Sequence, residues 1–230
     1  MIKSHSRKTA QVFDISSFRN SSKQQEKKII RISPETDGLA MLYGNDANPG
    51  KLFSMKIIGW GLQTDGQVTG LVPWLNTLMP CPELQDPLNG HWEGYFNSET
   101  GQVFYKAPAH KVVELEAAND YYRSGKKGSA QAIIQEIPDT IGTHAVLTEG
   151  PGKLKITEVF SWRLLASGQI QGMLIDIDKI QRTPVLLGDP SLYAAQLSPN
   201  FKYFFQYRIA NRIKREDPEA LKAIALLIGR

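Results

Sequence analysis

Apolar and polar residues alternate along two segments of the chain, 52–62 and 154–164. This period of two is typical of a β-strand that buries one face. The apolar positions match between the segments: Leu52 and Leu154, Ile58 and Phe160, Trp60 and Trp162, Leu62 and Leu164. A glycine, Gly66 or Gly168, follows where a three-residue hairpin loop needs a positive φ. We therefore predict two β-hairpins, each with a core tryptophan and a return strand, at 67–72 and 169–175.

The two hairpins belong to a longer internal duplication. Segments 49–85 and 151–187 align without a gap, and 11 of the 37 aligned positions are identical. Such self-similarity indicates one folding unit that was used twice. Because an isolated hairpin is marginally stable in water, each copy needs further strands or the other copy. We predict a mostly β (α+β) protein with two tandem, related small β-barrel or sandwich-like units of the SH3-like size class.

One aligned pair departs from the apolar pattern, since Lys56 in the first copy matches Glu158 in the second. A charge at an inward position of a strand indicates a sheet edge, a bulge or a strand end, where the side chain reaches water. We therefore expect both residues at positions of this kind.

The rest of the pattern predicts a second hairpin over 92–105, turned by a glycine, and a helix over 110–123. Ser198 with Pro199, and Asp217 with Pro218, are helix-start signals that predict two C-terminal helices. A polar, glycine-containing stretch separates the halves. These elements predict four regions: a basic, partly flexible N-terminal arm at 1–30, the first β repeat with its hairpin and helix at 31–123, the second β repeat at 129–197, and a C-terminal helical hairpin at 198–230.

The composition is that of a globular protein, since 41% of the 230 residues are hydrophobic and 22% are charged. No apolar run approaches the roughly 20 residues that cross a bilayer. The first residues lack the apolar segment of a signal peptide, and the single cysteine, Cys81, excludes an internal disulfide. We therefore expect a cytoplasmic protein that does not contact a membrane.

The net charge of +4 is unevenly distributed along the chain. Residues 1–31 carry eight basic and two acidic side chains, and residues 202–230 carry seven basic and three acidic ones, so the middle of the chain is acidic. Basic ends are compatible with a nucleic-acid partner. The candidate phosphate-contacting residues belong to the first expected C-terminal helix: Arg208, Arg212, Lys214 and Arg215.

No residues have the spacing of a catalytic or metal-binding motif, so we expect no catalytic residue, no metal and no cofactor. Asp176 and Asp178 place two carboxylates on one strand face, as acid–base chemistry can require. The first copy instead has an apolar group that the second lacks, because Trp74 and Cys81 align with Asp176 and Thr183. The candidate partner-binding surface of the first copy consists of Trp74, His91, Trp92 and Tyr95.

Two resemblances to known proteins are visible. The stretch 88–105, with its His91-Trp92-Glu93 and Thr100-Gly101-Gln102, resembles the first two strands of a WW domain, which binds proline-rich peptides on aromatic residues. It lacks the third strand and the second tryptophan that clamps proline, so it predicts a structural aromatic hairpin and not a proline-binding site. The basic start, Ile137-Pro138-Asp139, Gly142-Thr143-His144 and the closing stretch 217–221 resemble a family of bacterial proteins without an assigned activity, which implies a bacterial, cytoplasmic protein.

These features predict a non-enzymatic protein that binds another macromolecule, in the first place a protein, in the manner of an adaptor. One alternative is a nucleic-acid-associated protein that is bound through its basic ends. A second alternative is an enzyme with carboxylates in the cleft between the repeats.

Overall fold

The computed structural model describes residues 27–45, 50–84, 90–123, 129–151, 153–181 and 183–206, together with Arg215 and Pro218. This part of the chain is mostly β and contains one α-helix, α1 (Ala109–Arg123). Its strands are β1 (Ile29–Pro34), β2 (Leu39–Asn45), β3 (Leu52–Lys56), β4 (Gly59–Gln63), β5 (Val68–Trp74), β6 (Thr77–Pro80), β7 (Gly90–Asn97), β8 (Val103–Phe104), β9 (Ile133–Pro138), β10 (Thr143–Thr148), β11 (Leu154–Glu158), β12 (Ser161–Leu165), β13 (Ile170–Ile175), β14 (Leu192–Ala194) and β15 (Phe201–Gln206).

The strands form four small antiparallel sheets in a four-blade, propeller-like arrangement. Their strand orders are β1-β4-β5-β6 and β3-β2-β7-β8 in the first half of the chain, and β14-β13-β12-β9 and β11-β10-β15 in the second. The prediction of a β-rich protein is confirmed, but the two tandem barrels are wrong. The halves do not close separately because they share one hydrophobic cluster, which includes Ile32, Leu71 and Leu78 from the first half and Trp162, Leu174 and Phe204 from the second.

Both halves follow the same path through their two sheets. In the first half the chain places β1 in one sheet, β2 and β3 in the other, β4 to β6 in the first again, and β7 in the second. Strands β9 to β15 repeat this path in the same order. The duplication therefore extends beyond the aligned segments and includes the pair β7 and β15.

The predicted strand over 52–62 is divided into β3 and β4, which lie in different sheets. The break is a corner at which the N–H of Ile57 donates to Leu39 O at 3.2 Å in one sheet, while the N–H of Ile58 donates to Leu71 O at 2.9 Å in the other. Both side chains are fully buried. Two consecutive buried residues interrupt the period of two, and the second half turns the same corner at Val159 and Phe160.

The expectations for Lys56 and Glu158 are confirmed. Each is the exposed last residue of a strand, β3 or β11, that lies at the edge of its sheet. Trp60 and Trp162 are both fully buried at equivalent places, on β4 and β12. The hairpin and the helix between the repeats are also present, as β7–β8 and α1.

The helix predicted from Ser198 and Pro199 is wrong for its first part, because Phe201–Gln206 form strand β15. Alternate burial explains the strand: Phe204 and Gln206 are buried, while Tyr203 and Phe205 on the opposite face are only partly covered. The rest of the predicted helical hairpin lies outside the described residues, apart from Arg215 and Pro218, which have helical geometry.

A long connection distinguishes the second half from the first. Two residues, Leu75 and Asn76, join β5 to β6, whereas residues 176–191 join β13 to β14. Strand β14 pairs with β13 as β6 pairs with β5. Residues 82–84 and 184–186, which the gap-free sequence alignment places together, are therefore not at equivalent positions in the structure. Each short strand is followed by a 3-10 turn, Cys81–Glu83 or Ala195–Leu197, so the structural counterpart of Cys81 is Ala195 and not Thr183.

Candidate interaction surface

Each half anchors its core tryptophan with a carboxylate from the loop that follows the first strand of that half. Glu35 accepts a hydrogen bond from Trp60 Nε1 and two more from the N–H groups of Asp37 and Leu39. Asp139 accepts from Trp162 Nε1 at 2.9 Å and from three backbone N–H groups, those of Ile141, Gly142 and Thr143, at 2.8–3.1 Å. These carboxylates satisfy indole and loop donors that would otherwise lack acceptors, so their role is structural.

Each half also packs an aromatic ring onto its tryptophan across a glycine. Tyr95 meets Trp60 edge-on with ring centroids 4.8 Å apart, and Phe204 meets Trp162 in the same way at 4.9 Å. A Cβ atom on Gly70 would lie 2.8 Å from the Tyr95 ring. The equivalent atom on Gly172 would lie 2.6 Å from the Phe204 ring. The glycines are therefore required for this close approach.

Tyr95, which the sequence placed on the partner surface, is only 2% exposed. Its hydroxyl oxygen accepts a hydrogen bond from the Gly70 N–H at 2.9 Å and lies 3.2 Å from Thr69 Oγ1. Burial raises the pKa of Tyr95 well above its ordinary value. The residue supports the surface from below, because its ring also packs edge-on against Trp92 with centroids 5.1 Å apart.

The aromatic contacts continue outward from Trp92 to solvent. Trp92 is half-buried, and its ring meets the ring of Tyr105 edge-on with centroids 6.1 Å apart. Tyr105 is 68% exposed, and Val103 on the neighbouring strand β8 is 43% exposed. A line of rings thus runs from the buried Trp60 through Tyr95 and Trp92 to Tyr105 at the surface. The Trp92 indole N–H is buried and has no hydrogen-bond acceptor within the described structure.

The other two predicted surface residues lie at the sides of this group. His91 is exposed, and its Nε2 lies 2.6 Å from Glu93 Oε1. Trp74 is half-buried at the end of β5 and packs against the same hydrophobic cluster as Trp92. Sequence analysis missed Tyr105 and Val103, although both lie on the aromatic hairpin that it predicted. The signal was their alternation with Phe104, which packs inward against Tyr95.

Helix α1 and strand β1 bring together a cluster of polar side chains that the sequence did not indicate. Lys111 is 4% exposed, and its Nζ donates to Glu114 Oε2 at 3.1 Å and to Pro34 O at 3.0 Å. The Ser33 hydroxyl, on β1, donates to Glu114 Oε1 at 2.6 Å. Burial acts to raise the pKa of Glu114, but Ser33 and Lys111 outweigh it and hold that pKa below its usual range. These contacts join side chains of α1 to β1, so the cluster fastens the helix to the strand.

The carboxylates of the alternative enzyme hypothesis lie on the long connection 176–191. Asp176 accepts from Lys179 at 2.8 Å, and this contact holds the pKa of Asp176 below its ordinary value. The Asp176 side chain also accepts from the Asp178 N–H at 3.2 Å. The connection exposes apolar side chains, among them Ile177, Leu186 and Leu187. Of the candidate nucleic-acid residues, Arg208, Arg212 and Lys214 lie outside the described residues, and Arg215 is exposed.

Two searches of the residues that the structure describes, for a group of metal ligands and for a helix that spans a membrane, find neither. No three His, Cys, Asp or Glu residues among them come together as metal ligands would, and none of their helices is long and apolar enough to cross a membrane. Comparison of the chain with protein-family models, with curated proteins and with solved structures finds no match.

Proposed function

We propose that the protein is a non-enzymatic interaction module that binds an extended segment of another protein on the β7–β8 hairpin. The observation that carries this proposal is the line of aromatic rings that ends in the exposed Tyr105. Exposed apolar and aromatic groups that are held rigidly from below are typical of protein-binding surfaces.

The comparison of the two halves supports a specialised role for this hairpin. In the part of the chain that the structure describes, which ends its last strand at Gln206, the sheet β11-β10-β15 has no strand in the place of β8. Its aromatic anchor, Phe204, packs on Trp162 from the last described strand, β15. Among the described residues, strand β8 with Val103 and the adjacent Tyr105 distinguishes the first half from the second.

The backbone of β8 is suited to an extended partner. The N–H of Asn97 donates to Gln102 O at 3.0 Å, which makes 97 and 102 a hydrogen-bonded pair of the hairpin. Because such pairs alternate with non-hydrogen-bonded ones, the N–H and C=O of Val103 point away from β7. An added strand pairs with these groups, and its aliphatic side chains pack against Tyr105 and Trp92. A carbonyl of the partner supplies the acceptor that the Trp92 indole N–H lacks in the described structure.

A peptide-display selection on the full-length protein tests the proposal. We expect extended, aliphatic-rich peptides whose binding Tyr105→Ala weakens about tenfold or more, as truncation of an aromatic hot spot does. Because Tyr105 is exposed, the melting temperature should stay within about 2 °C of the native value. Tyr193→Ala is the matched control, since Tyr193 is a partly exposed tyrosine on β14 of the second half.

A second variant examines the indole. Trp92→Phe keeps an aromatic ring and removes only the N–H, so peptide affinity should fall several-fold if a partner carbonyl accepts from it. Selected peptides that bind Tyr105→Ala and the native protein equally well would remove the hairpin from the binding surface.

A further inference from the structure

Strand β11 and its counterpart β3 both lie at the edge of a sheet, but the edge of β11 is the more open of the two. The N–H of Val159 donates to Thr143 O, and the N–H of Glu149 donates to Lys153 O. Every second residue of β11 therefore bonds inward to β10, and the N–H and C=O groups of Leu154, Ile156 and Glu158 point away from the sheet. No strand in the described part of the chain pairs with this side of β11.

In the first half the corresponding edge is partly closed by a side chain. The amide of Gln206 donates from Nε2 to Lys56 O at 2.7 Å, and its Oε1 accepts from the Lys56 N–H at 3.2 Å. Gln206 thus bonds to Lys56 as a neighbouring strand would. Its counterpart at the end of β7 is Asn97, whose Oδ1 instead accepts from the N–H groups of Glu99 and Thr100 in the hairpin turn. That side chain is committed to the turn, and no side chain among the described residues covers the backbone of Glu158 in this way.

Two exposed side chains at the β11 edge are apolar, although a sheet edge that faces solvent is usually protected by charged residues. Leu154 is 60% exposed and Ile156 is 51% exposed. In the sheet, Ile156 lies beside Val146 and Val146 lies beside Tyr203, so an apolar row crosses three strands and ends in solvent at Ile156. Long apolar edges without proline invite pairing with another strand.

We propose that β11 pairs antiparallel with β11 of a second copy of this chain, with Ile156 of both copies on the two-fold axis. In this register Leu154 faces Glu158 of the partner copy and Lys155 faces Thr157. The outward backbone groups of 154, 156 and 158 all find partners. The two three-stranded sheets join, and the row Tyr203, Val146 and Ile156 continues into its symmetry mate.

The charges of β11 select this register and this occupant. A shift by one pairing step places Lys155 of one copy opposite Lys155 of the other, and like charges in opposite positions are destabilising. The shift in the other direction places Ile156 opposite Glu158 and breaks the apolar row. Only the register centred on Ile156 keeps that row continuous and separates the lysines, so the strand is its own complement.

Sedimentation equilibrium of the full-length protein, measured over a wide concentration range, tests the proposal. We expect a monomer–dimer equilibrium that Ile156→Lys weakens at least tenfold, because it places two ammonium groups on the axis. Leu52→Lys is the matched control, since Leu52 is the exposed leucine of the β3 edge, and it should leave the equilibrium unchanged. Circular dichroism confirms that both variants are folded.

Cysteine crosslinking tests the register. Residues that face each other as a hydrogen-bonded pair have Cα atoms about 5.5 Å apart, within the range of a disulfide, so Ile156→Cys should give a covalent dimer on oxidation. Leu154→Cys should not, because its two copies are about 13 Å apart along the strands. The native Cys81 does not interfere, since it is fully buried and burial raises the pKa of its thiol.

Each result decides the proposal. A protein that is monomeric at every concentration, a dimer that Ile156→Lys leaves intact, or crosslinking of Leu154→Cys in preference to Ile156→Cys would each overturn it. These outcomes are independent of peptide binding at the hairpin, because Tyr105→Ala leaves β11 unchanged.

Discussion

Replacement of Asp139 by alanine should destabilise the whole protein, although the residue lies in a loop. Its carboxylate accepts four hydrogen bonds, one from the buried indole of Trp162 and three from consecutive backbone N–H groups. Trp162 is fully buried in the cluster that both halves share. Loss of the anchor is therefore transmitted to both halves and not confined to the loop.

The magnitude follows from which donors lose access to an acceptor. An indole N–H that stays buried without a partner costs about 1–3 kcal/mol. The N–H of Gly142 is near the surface and regains water, but that of Thr143, a fully buried residue, does not, which adds about 1 kcal/mol. We expect Asp139→Ala to lower the free energy of unfolding by about 3 kcal/mol. Asp139→Asn keeps one acceptor oxygen and should cost about half as much.

Urea unfolding followed by circular dichroism measures these changes, with Asp178→Ala, at an exposed aspartate, as the control. A double-mutant cycle with Trp162→Phe isolates the indole bond. In the phenylalanine background the N–H is absent, so Asp139→Ala should cost about 1–2 kcal/mol less than in the native background. An Asp139→Ala effect no larger than that of Asp178→Ala, or additive effects in the cycle, would refute the anchoring role.

Two further predictions concern the aromatic anchors. Gly172→Ala should lower the free energy of unfolding by about 1–3 kcal/mol, because the new methyl group overpacks against the Phe204 ring. Phe204→Leu removes that ring, so the glycine substitution should have a smaller effect in the Phe204→Leu background when a double-mutant cycle is measured by urea unfolding. Equal effects in both backgrounds would contradict the steric explanation. Tyr95→Phe should lower the free energy of unfolding by about 1–2 kcal/mol, because the buried Gly70 N–H loses its acceptor. Its affinity for hairpin-binding peptides, measured by titration calorimetry, should stay within about twofold of the native value. A large affinity loss at unchanged stability would place the Tyr95 hydroxyl in the binding surface.

Local signals in the sequence predicted the parts of the fold that are decided locally. Strand alternation together with Gly66 and Gly168 identified the two core hairpins, and the misplaced charges of Lys56 and Glu158 identified two strand ends. The corner between β3 and β4 was not predictable from alternation. It forms because Ile57 donates a hydrogen bond to one sheet and Ile58 donates to the other. The shared core was not predictable either, since no local pattern shows that residues from the two halves pack together.

Strand β15 shows how a local signal can be overridden by tertiary contacts. Ser198 and Pro199 are good helix-start residues, but Phe204 gains its packing on Trp162 and Gly172 only if 201–206 are extended. The sequence carried a clue, because Tyr95-Phe96-Asn97 and Phe204-Phe205-Gln206 are similar and end equivalent strands. The similarity falls outside the gap-free alignment, so it becomes visible only once β7 and β15 are known to correspond.

The candidate surface was only partly predictable for the same reason. The aromatic composition of the first half pointed to the hairpin that carries the line of rings, but composition does not distinguish a buried ring that supports this line from an exposed ring at its end. Tyr95 and Tyr105 both belong to this hairpin, and their exposures of 2% and 68% differ because Tyr95 packs on Trp60 while Tyr105 lies at the end of the line of rings. That distinction depends on the depth of each ring and not on its chemistry.

Comparison of the two halves separates residues that the fold requires from residues that are candidates for function. Both retain the same internal anchors, an acidic loop residue, a tryptophan, a glycine and an aromatic ring, and these are requirements of the fold. Exposed apolar side chains also occur where the described parts of the halves differ: on β8, on the connection 176–191 and at Ile156 of β11. Where the second half has the long connection, the first half has a two-residue turn, and its β3 edge is partly closed. The fold can therefore form without these exposed side chains. Contact with another chain, as we propose for the hairpin and for β11, would account for apolar side chains at such places.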